Sequence, residues 1–83
     1  MSWTVASDRM TREVRTSDFL TAFRLVEAMV PVAEALNHHP DLALGWGYVR
    51  ITLTTHDAGG LTDKDRELAR RLDGVLAAEG FTG

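Results

Sequence analysis

Residues 41–56 read DLALGWGYVRITLTTH. From Tyr48 to Thr55 apolar and polar residues alternate, which is typical of a strand with one buried and one solvated face. A short apolar segment from Leu42 to Leu44 precedes it, and a turn near Gly45 to Gly47 separates the two. The stretch therefore predicts an antiparallel hairpin.

The residues before this hairpin predict another hairpin and a helix. Trp3 to Ala6 and Met10 to Arg15 are predicted as two short strands around a polar turn. From Ser17 onward the apolar spacing changes to three and four, which indicates a helix with Ser17 as N-cap and Asp18 in the first turn. The predicted apolar stripe consists of Phe19, Phe23, Val26, Val30, Ala33 and Leu36.

Two prolines bear on this helix. Pro31 removes a backbone hydrogen bond to residue 27, so we expect one helix with a kink or local loosening between Glu27 and Pro31. Pro40 disfavours helical backbone at His39, so the helix must end before Pro40.

A second helix is predicted from Thr62 to a stop at Gly80. Thr62 is its expected N-cap, with Asp65 three residues later in the position of a capping box. The order β-β-α-β-β-α predicts an α+β fold, a two-layer sandwich in which two helices cover one face of a four-stranded antiparallel sheet. The apolar stripe of this helix consists of Leu68, Ala69, Leu72, Val75 and Leu76.

Length and composition restrict the partners. We expect residues 1–83 to form one domain with a marginal core, and because the chain has no cysteine to add a disulfide, we expect a homodimer or higher homo-oligomer. The net charge of −3 and scattered arginines argue against direct binding of nucleic acid. No signal peptide and no bilayer-length apolar run is evident, which predicts a cytoplasmic protein without membrane contact.

The three histidines of the chain lie where predicted elements end. His38 and His39 follow the first helix, and His56 follows the long strand. If these ends meet at one rim of the sheet, three groups that titrate near neutral pH share a cleft, with Glu34 one helical turn before His38.

Other interpretations of the histidines compete with an acid-base site. A metal site is disfavoured because neighbouring side chains diverge and the helical i,i+4 ligand spacing is absent. A hydrolase triad lacks a serine near the histidines. The residues alone leave a third possibility about as well supported as a functional site, namely that these are merely polar ends of secondary structure.

The pattern as a whole resembles the pterin-4a-carbinolamine dehydratases, also known as dimerisation cofactors of a homeodomain transcription factor. It runs through EALNHHPD at residues 34–41, Trp46, and TLTTHDAGGLTDKD at residues 52–65. The family signature is an acid, three residues, His-His-Pro, five or six residues to an aromatic, nine more to a histidine, and a downstream aspartate. The matching residues are Glu34, His38, His39, Pro40, Trp46, His56 and Asp65.

The resemblance implies dehydration of 4a-hydroxytetrahydropterin to quinonoid dihydropterin in tetrahydrobiopterin recycling. The pterin is then the substrate, and neither a metal nor another cofactor is required. General acid/base roles fall to His38, His39 and His56, and the resemblance does not say which is acid and which is base. Pterin contacts are implied at Glu34, Asn37, Thr54 and Thr55.

Three other residues of the signature have structural explanations. Asp65 is explained by helix capping alone, Trp46 is more often a packed aromatic than a stacking platform, and Pro40 ends a helix.

The chain departs from the family pattern in two places. Family members usually carry an N-terminal helix ahead of the tryptophan matched by Trp3, and REVRTSDF at residues 12–19 lacks phenylalanines that the family tends to have. Both changes touch the side of the fold that associates. The alternative function is a non-catalytic binding module, a transcriptional coactivator or assembly chaperone, and a plain structural domain is a third.

Overall fold

The computed structural model describes residues 3–81, except for the side chain of His56. The order and class of its elements confirm the predicted β-β-α-β-β-α arrangement. The elements are β1 (Thr4–Val5), β2 (Met10–Arg15), α1 (Phe19–Leu36), β3 (Asp41–Gly45), β4 (Tyr48–Leu53), a 3₁₀ turn (His56–Ala58) and α2 (Asp63–Ala78).

The four strands form one antiparallel sheet in the order β1-β2-β4-β3. The central pair, β2 and β4, is in register from Met10 opposite Leu53 to Arg15 opposite Tyr48. Because the strands alternate, their apolar residues face one side and pack with both helices into a single core. The other side carries polar residues such as Arg50 and Glu13, which form an ion pair.

The first helix differs from its prediction in which side chains it buries. Its buried residues are Ala22, Leu25, Met29 and Ala33, of which only Ala33 belongs to the predicted stripe. Phe19, Phe23 and Val30 are about half exposed. Spacings of three and four fit two neighbouring stripes on this helix, and the stripe with small alanines is the one that packs on the sheet and α2.

The start of α1 also corrects the prediction. Asp18, not Ser17, is the N-cap, and its carboxylate accepts the backbone N–H of Thr21 at 2.8 Å. The hydrogen bonds to Thr21 hold the pKa of Asp18 below its usual value. The helix then runs unbroken through Pro31, which is exposed, so water can solvate the Glu27 carbonyl that lost its partner.

The second helix agrees closely with its prediction. Thr62 is the N-cap, and the predicted apolar residues are buried or partly buried in the core. After Ala78 the chain turns at Gly80, whose φ of 92° and N–H bond to the Ala77 carbonyl complete a Schellman end. Neither helix of the described residues is long and apolar enough to cross a membrane.

Candidate active site

A cleft of about 330 Å³ opens where the end of α1, the end of β4 and the start of α2 meet. The helix end and the strand end therefore converge at one rim of the sheet, which is the condition under which the sequence predicted a shared cleft. The cleft is lined by Asn37, His38, His39, Thr54, Thr55, Asp57 and Lys64.

The exit from α1 is made by Asn37. Its backbone is left-handed, at φ 50° and ψ 41°, and its N–H donates to the Glu34 carbonyl while the N–H of His38 donates to that of Ala33, both at 3.2 Å. These two bonds define a Schellman end, a position that asparagine tolerates better than most residues. The helix ends before Pro40, as predicted: Leu36 is its last residue, and the turn at Asn37 comes three residues ahead of the proline.

His38 is packed against a buried carboxylate. Its side chain is 12% exposed, and Nε2 lies 2.7 Å from Oδ1 of Asp65, which is wholly buried. The other carboxylate oxygen, Oδ2, accepts the Thr55 hydroxyl at 2.6 Å and the Thr62 N–H at 3.0 Å. Burial alone would raise the pKa of Asp65, but the hydrogen bonds from His38, Thr55 and Thr62 outweigh it and hold that pKa below its usual value.

His39 points to a different partner. Its Nε2 lies 2.7 Å from Oε2 of Glu34, with the two side chains 55% and 67% exposed. Glu34 was expected to share a helical face with His38. The left-handed turn at Asn37 breaks the helical spacing, so the glutamate meets the second histidine instead.

The backbone of His56 lies at the start of the 3₁₀ turn that follows β4. This loop is closed by a pair of backbone bonds between Thr55 and Gly60, at 3.0 and 3.3 Å. The side chain of His56 lies outside the part of the chain that the structure describes. Its catalytic role, and its distance from His38, therefore stay predictions.

The three residues predicted as pterin contacts beside Glu34 all line the cleft, but two have intramolecular partners. The Thr54 hydroxyl donates to the Asp8 carbonyl at 2.6 Å, and the Thr55 hydroxyl donates to Asp65. Asn37 has its backbone role in the turn. Substrate contact by these residues stays a prediction.

Two residues that were given structural explanations have different outcomes. Asp65 does cap α2 through Thr62, and it also contacts His38, which the capping explanation did not foresee. Trp46 is 75% exposed, which contradicts a packed aromatic in the isolated chain. It forms the tip of the β3–β4 hairpin with Gly47, where no layer covers it, and five residues of strand at about 3.3 Å each separate it from the cleft.

Sequence reasoning missed two residues of the cleft, Asp57 and Lys64. A signal for Lys64 was present, since it stands beside Asp65 in the first turn of the helix whose start was correctly placed. Within the described side chains, no group of three His, Asp or Glu could hold a metal ion, and the expectation of a metal-free reaction stays a prediction.

The arrangement provides a histidine that lines the cleft and whose Nε2 is held on a buried carboxylate. A second imidazole lies in the same cleft with its own carboxylate partner. Imidazole side chains can act as general acids and general bases.

Sequence comparison identifies relatives over most of the chain. The family profile described as pterin 4 alpha carbinolamine dehydratase matches residues 1–75. A protein of Solibacter usitatus, provisionally named pterin-4-alpha-carbinolamine dehydratase, is 43% identical over 76 residues, covering 92% of this chain and 80% of its own. A protein of Cyanothece with the same provisional name is 47% identical over 68 residues, covering 82% and 70%.

Solved structures share the fold. The transcriptional coactivator/pterin dehydratase from Brucella melitensis superposes with a TM-score of 0.80 at 32% identity, covering 88% of this chain and 80% of that one. A pterin dehydratase-like RuBisCO assembly factor of the alpha-carboxysome gives a TM-score of 0.69 at 19% identity, covering 89% and 86%. At that identity the second likeness concerns the fold alone.

Proposed function

The chain belongs to the pterin 4 alpha carbinolamine dehydratase family, and we propose that it removes water from 4a-hydroxytetrahydropterin to give quinonoid dihydropterin. This hydro-lyase step belongs to tetrahydrobiopterin recycling. A cytoplasmic location and independence of any cofactor are part of the same proposal.

One observation carries the proposal. His38 and His39 line one cleft of about 330 Å³, and His38 is held at 2.7 Å by a buried aspartate. The volume falls at the lower end of the range typical for small-molecule sites. The cleft therefore offers proton-transferring groups to a ligand of about the size of a bicyclic pterin.

The chemistry needs two proton transfers. The C4a–O bond breaks after a proton reaches the departing hydroxyl, and a C4a=N5 double bond forms as N5 loses its proton, so one water leaves. An imidazole can supply the first proton or take the second, and each such step is typically worth about 10²–10⁴-fold in rate. His38, His39 and His56 are the proposed acid and base groups.

Stopped-flow measurement of carbinolamine dehydration tests this function. We expect the wild-type protein to accelerate the reaction and the variants His38→Ala, His39→Ala and His56→Ala to lose rate. Glu79→Ala, an exposed acid at the far end of α2, serves as a control that keeps the wild-type rate. A wild-type rate indistinguishable from buffer would sink the proposal.

We also propose that the chain is a homo-oligomer. Phe19, Phe23 and Val30 lie along one side of α1 and are 53%, 50% and 47% exposed. Covering such apolar surface is a typical reason for association. Analytical ultracentrifugation should show a mass above that of the monomer, lowered by Phe23→Ser and unchanged by the neighbouring Arg24→Ser. A monomeric wild-type protein would exclude the oligomer.

The same exposed side of α1 favours the second candidate, a non-catalytic binding module. A pull-down that recovers a protein partner in stoichiometric amount, unaffected when all three histidines are replaced, would support that function. Loss of dehydration in the histidine variants with no such partner recovered would support the enzyme.

A further inference from the structure

The hydrogen bonds around Asp65 form a chain that uses both carboxylate oxygens. Oδ2 accepts the Thr55 hydroxyl and the Thr62 N–H, and Oδ1 lies 2.7 Å from Nε2 of His38. The Thr55 hydroxyl oxygen also lies 2.8 Å from that of Thr62.

The protons of this hydrogen-bond chain can be arranged in only one consistent way. A carboxylate can only accept hydrogen bonds, and the lowered pKa of Asp65 keeps it ionised at neutral pH. Thr55 has a single hydroxyl proton and donates it to Asp65, so the Thr62 hydroxyl must donate to Thr55. Nε2 of His38 must likewise carry a proton, because its partner has none to give.

We propose, on the basis of the dehydratase function above, that this hydrogen-bond chain fixes a proton on Nε2 of His38. Nδ1 is then the atom that exchanges a proton with the pterin. In this proposal Thr55 is a positioning residue rather than a substrate contact. Its hydroxyl orients the Asp65 carboxylate, and the carboxylate sets the tautomer and orientation of the imidazole.

Thr55 is well placed for this role. Its backbone follows β4, and both its N–H and its carbonyl are hydrogen-bonded to the backbone of Gly60. The side chain therefore starts from a fixed point. Without the hydroxyl, Oδ2 of Asp65 would keep only the Thr62 N–H as a donor, and the Thr62 hydroxyl would lose its acceptor. The carboxylate could then rotate away from the geometry that holds His38.

Nitrogen-15 NMR of the histidine rings tests the tautomer without reference to activity. At alkaline pH, where histidine is neutral, we expect Nε2 of His38 to carry the proton and Nδ1 to be bare. A neutral His38 protonated on Nδ1 in the wild-type protein would overturn the proposal.

The variant Asp65→Asn should reverse the tautomer. Its amide oxygen is expected to stay with the two donors, Thr55 and Thr62, which turns the NH₂ group toward His38. A donor facing Nε2 requires that nitrogen to be bare, so the proton moves to Nδ1. An unchanged His38 spectrum in a folded Asp65→Asn protein would contradict the inferred chain.

The role of Thr55 is tested by Thr55→Val, with Thr55→Ser as the conservative variant. We expect kcat to fall on the order of tenfold in the valine variant with KM little changed, as is typical when a partner that orients an active side chain is removed. Serine keeps the hydroxyl, so Thr55→Ser should keep both the wild-type kcat and the wild-type His38 spectrum. Thr52→Val makes the same change in β4 on the face away from the core and should have neither effect.

The outcomes separate the proposals. A wild-type protein without dehydratase activity would end the proposed function, while the NMR tautomer would still decide the hydrogen-bond chain. Wild-type kcat in Thr55→Val would end the positioning role. If Thr55→Val does not fold, the wild-type and Asp65→Asn spectra decide the tautomer, and kcat of Thr62→Val, which removes the donor to Thr55, decides whether the hydroxyl chain matters.

Discussion

His38 and His39 are identical neighbours in the chain with opposite surroundings. His38 is 12% exposed and bonded to a carboxylate with no exposure, whereas His39 is 55% exposed and bonded to a carboxylate that is 67% exposed. The two nitrogen–oxygen distances are the same, 2.7 Å. Distance alone therefore does not distinguish the two pairs, and burial and further partners do.

The difference follows from the turn at Asn37. A left-handed residue directly after α1 sends His38 back over the start of α2, where Asp65 is already held by Thr55 and Thr62. His39 is left beside the last turn of its own helix. A buried, multiply bonded pair orients its members far more firmly than an exposed one, which water and salt weaken.

The largest expected effect is a difference in rate between the two histidines. His38→Ala should reduce kcat/KM for dehydration by about 10²–10⁴-fold. The loss in His39→Ala should be about tenfold smaller, because the exposed ring is less firmly oriented. Stopped-flow kinetics of both variants measures the difference. A larger loss for His39→Ala would reverse the order inferred from burial.

Removal of the buried carboxylate should be the largest change in stability. Asp65→Ala leaves the Thr62 N–H, the Thr55 hydroxyl and Nε2 of His38 without their acceptor, and we expect the free energy of unfolding to fall by about 3 kcal/mol. Urea unfolding measures the change. The control is Asp63→Ala, a fully exposed acid in the same first turn, for which a loss as large would show that burial is not the cause.

Acid should remove the contribution that the Asp65 carboxylate makes to stability. The pKa of Asp65 is lower in the folded protein than in the unfolded chain, where aspartate titrates near 3.9, so its stabilising contribution is present above about pH 4. That contribution is lost as the pH falls through the folded value. We expect wild-type stability to fall more than that of Asp65→Asn between neutral pH and pH 3, as measured by urea midpoints. An equal pH dependence of the urea midpoints in the two proteins would contradict a lowered pKa of Asp65.

Much of the fold could be read from the sequence because local signals agreed with tertiary packing. Thr62 and Asp65 gave the start of α2, and alternation in residues 48–53 gave the central strand. The buried face of α1 could not be read, because Phe19 and Phe23 have the same helical spacing as Leu25 and Met29. Only the position of the sheet and α2 decides which stripe is covered.

Five of the predicted residues line one cleft, namely Asn37, His38, His39, Thr54 and Thr55, but the pairs they form were not predictable. The spacing of residues brought His38, His39 and the end of β4 to one cleft. Which acid meets which histidine depends on the backbone angle at Asn37, and a single sequence does not give that angle. The buried contact between Asp65 and His38 links residues 27 apart and left no local signal.

The turn that separates the two histidines should contribute less stability than the buried pair. Asn37→Ala places an alanine at φ 50°, so the free energy of unfolding should fall by about 1 kcal/mol. Asn37→Gly removes the same side chain at no steric cost and should change it by less than about 0.5 kcal/mol. Equal losses in thermal or urea unfolding would mean that the asparagine side chain, not its backbone conformation, matters.

The exposed pair should matter least for stability. Glu34→Gln removes the charge beside His39, and because both side chains are mostly in solvent, the free energy of unfolding should change by less than about 0.5 kcal/mol. Glu27→Gln, an exposed acid on the same helix outside the cleft, is the matched control. If Glu34→Gln keeps its stability but loses kcat/KM while the control does not, the glutamate acts on the pterin or on His39 during dehydration. If both variants keep wild-type kinetics, Glu34 has no part in dehydration, and the exposed half of the cleft contributes through His39 alone.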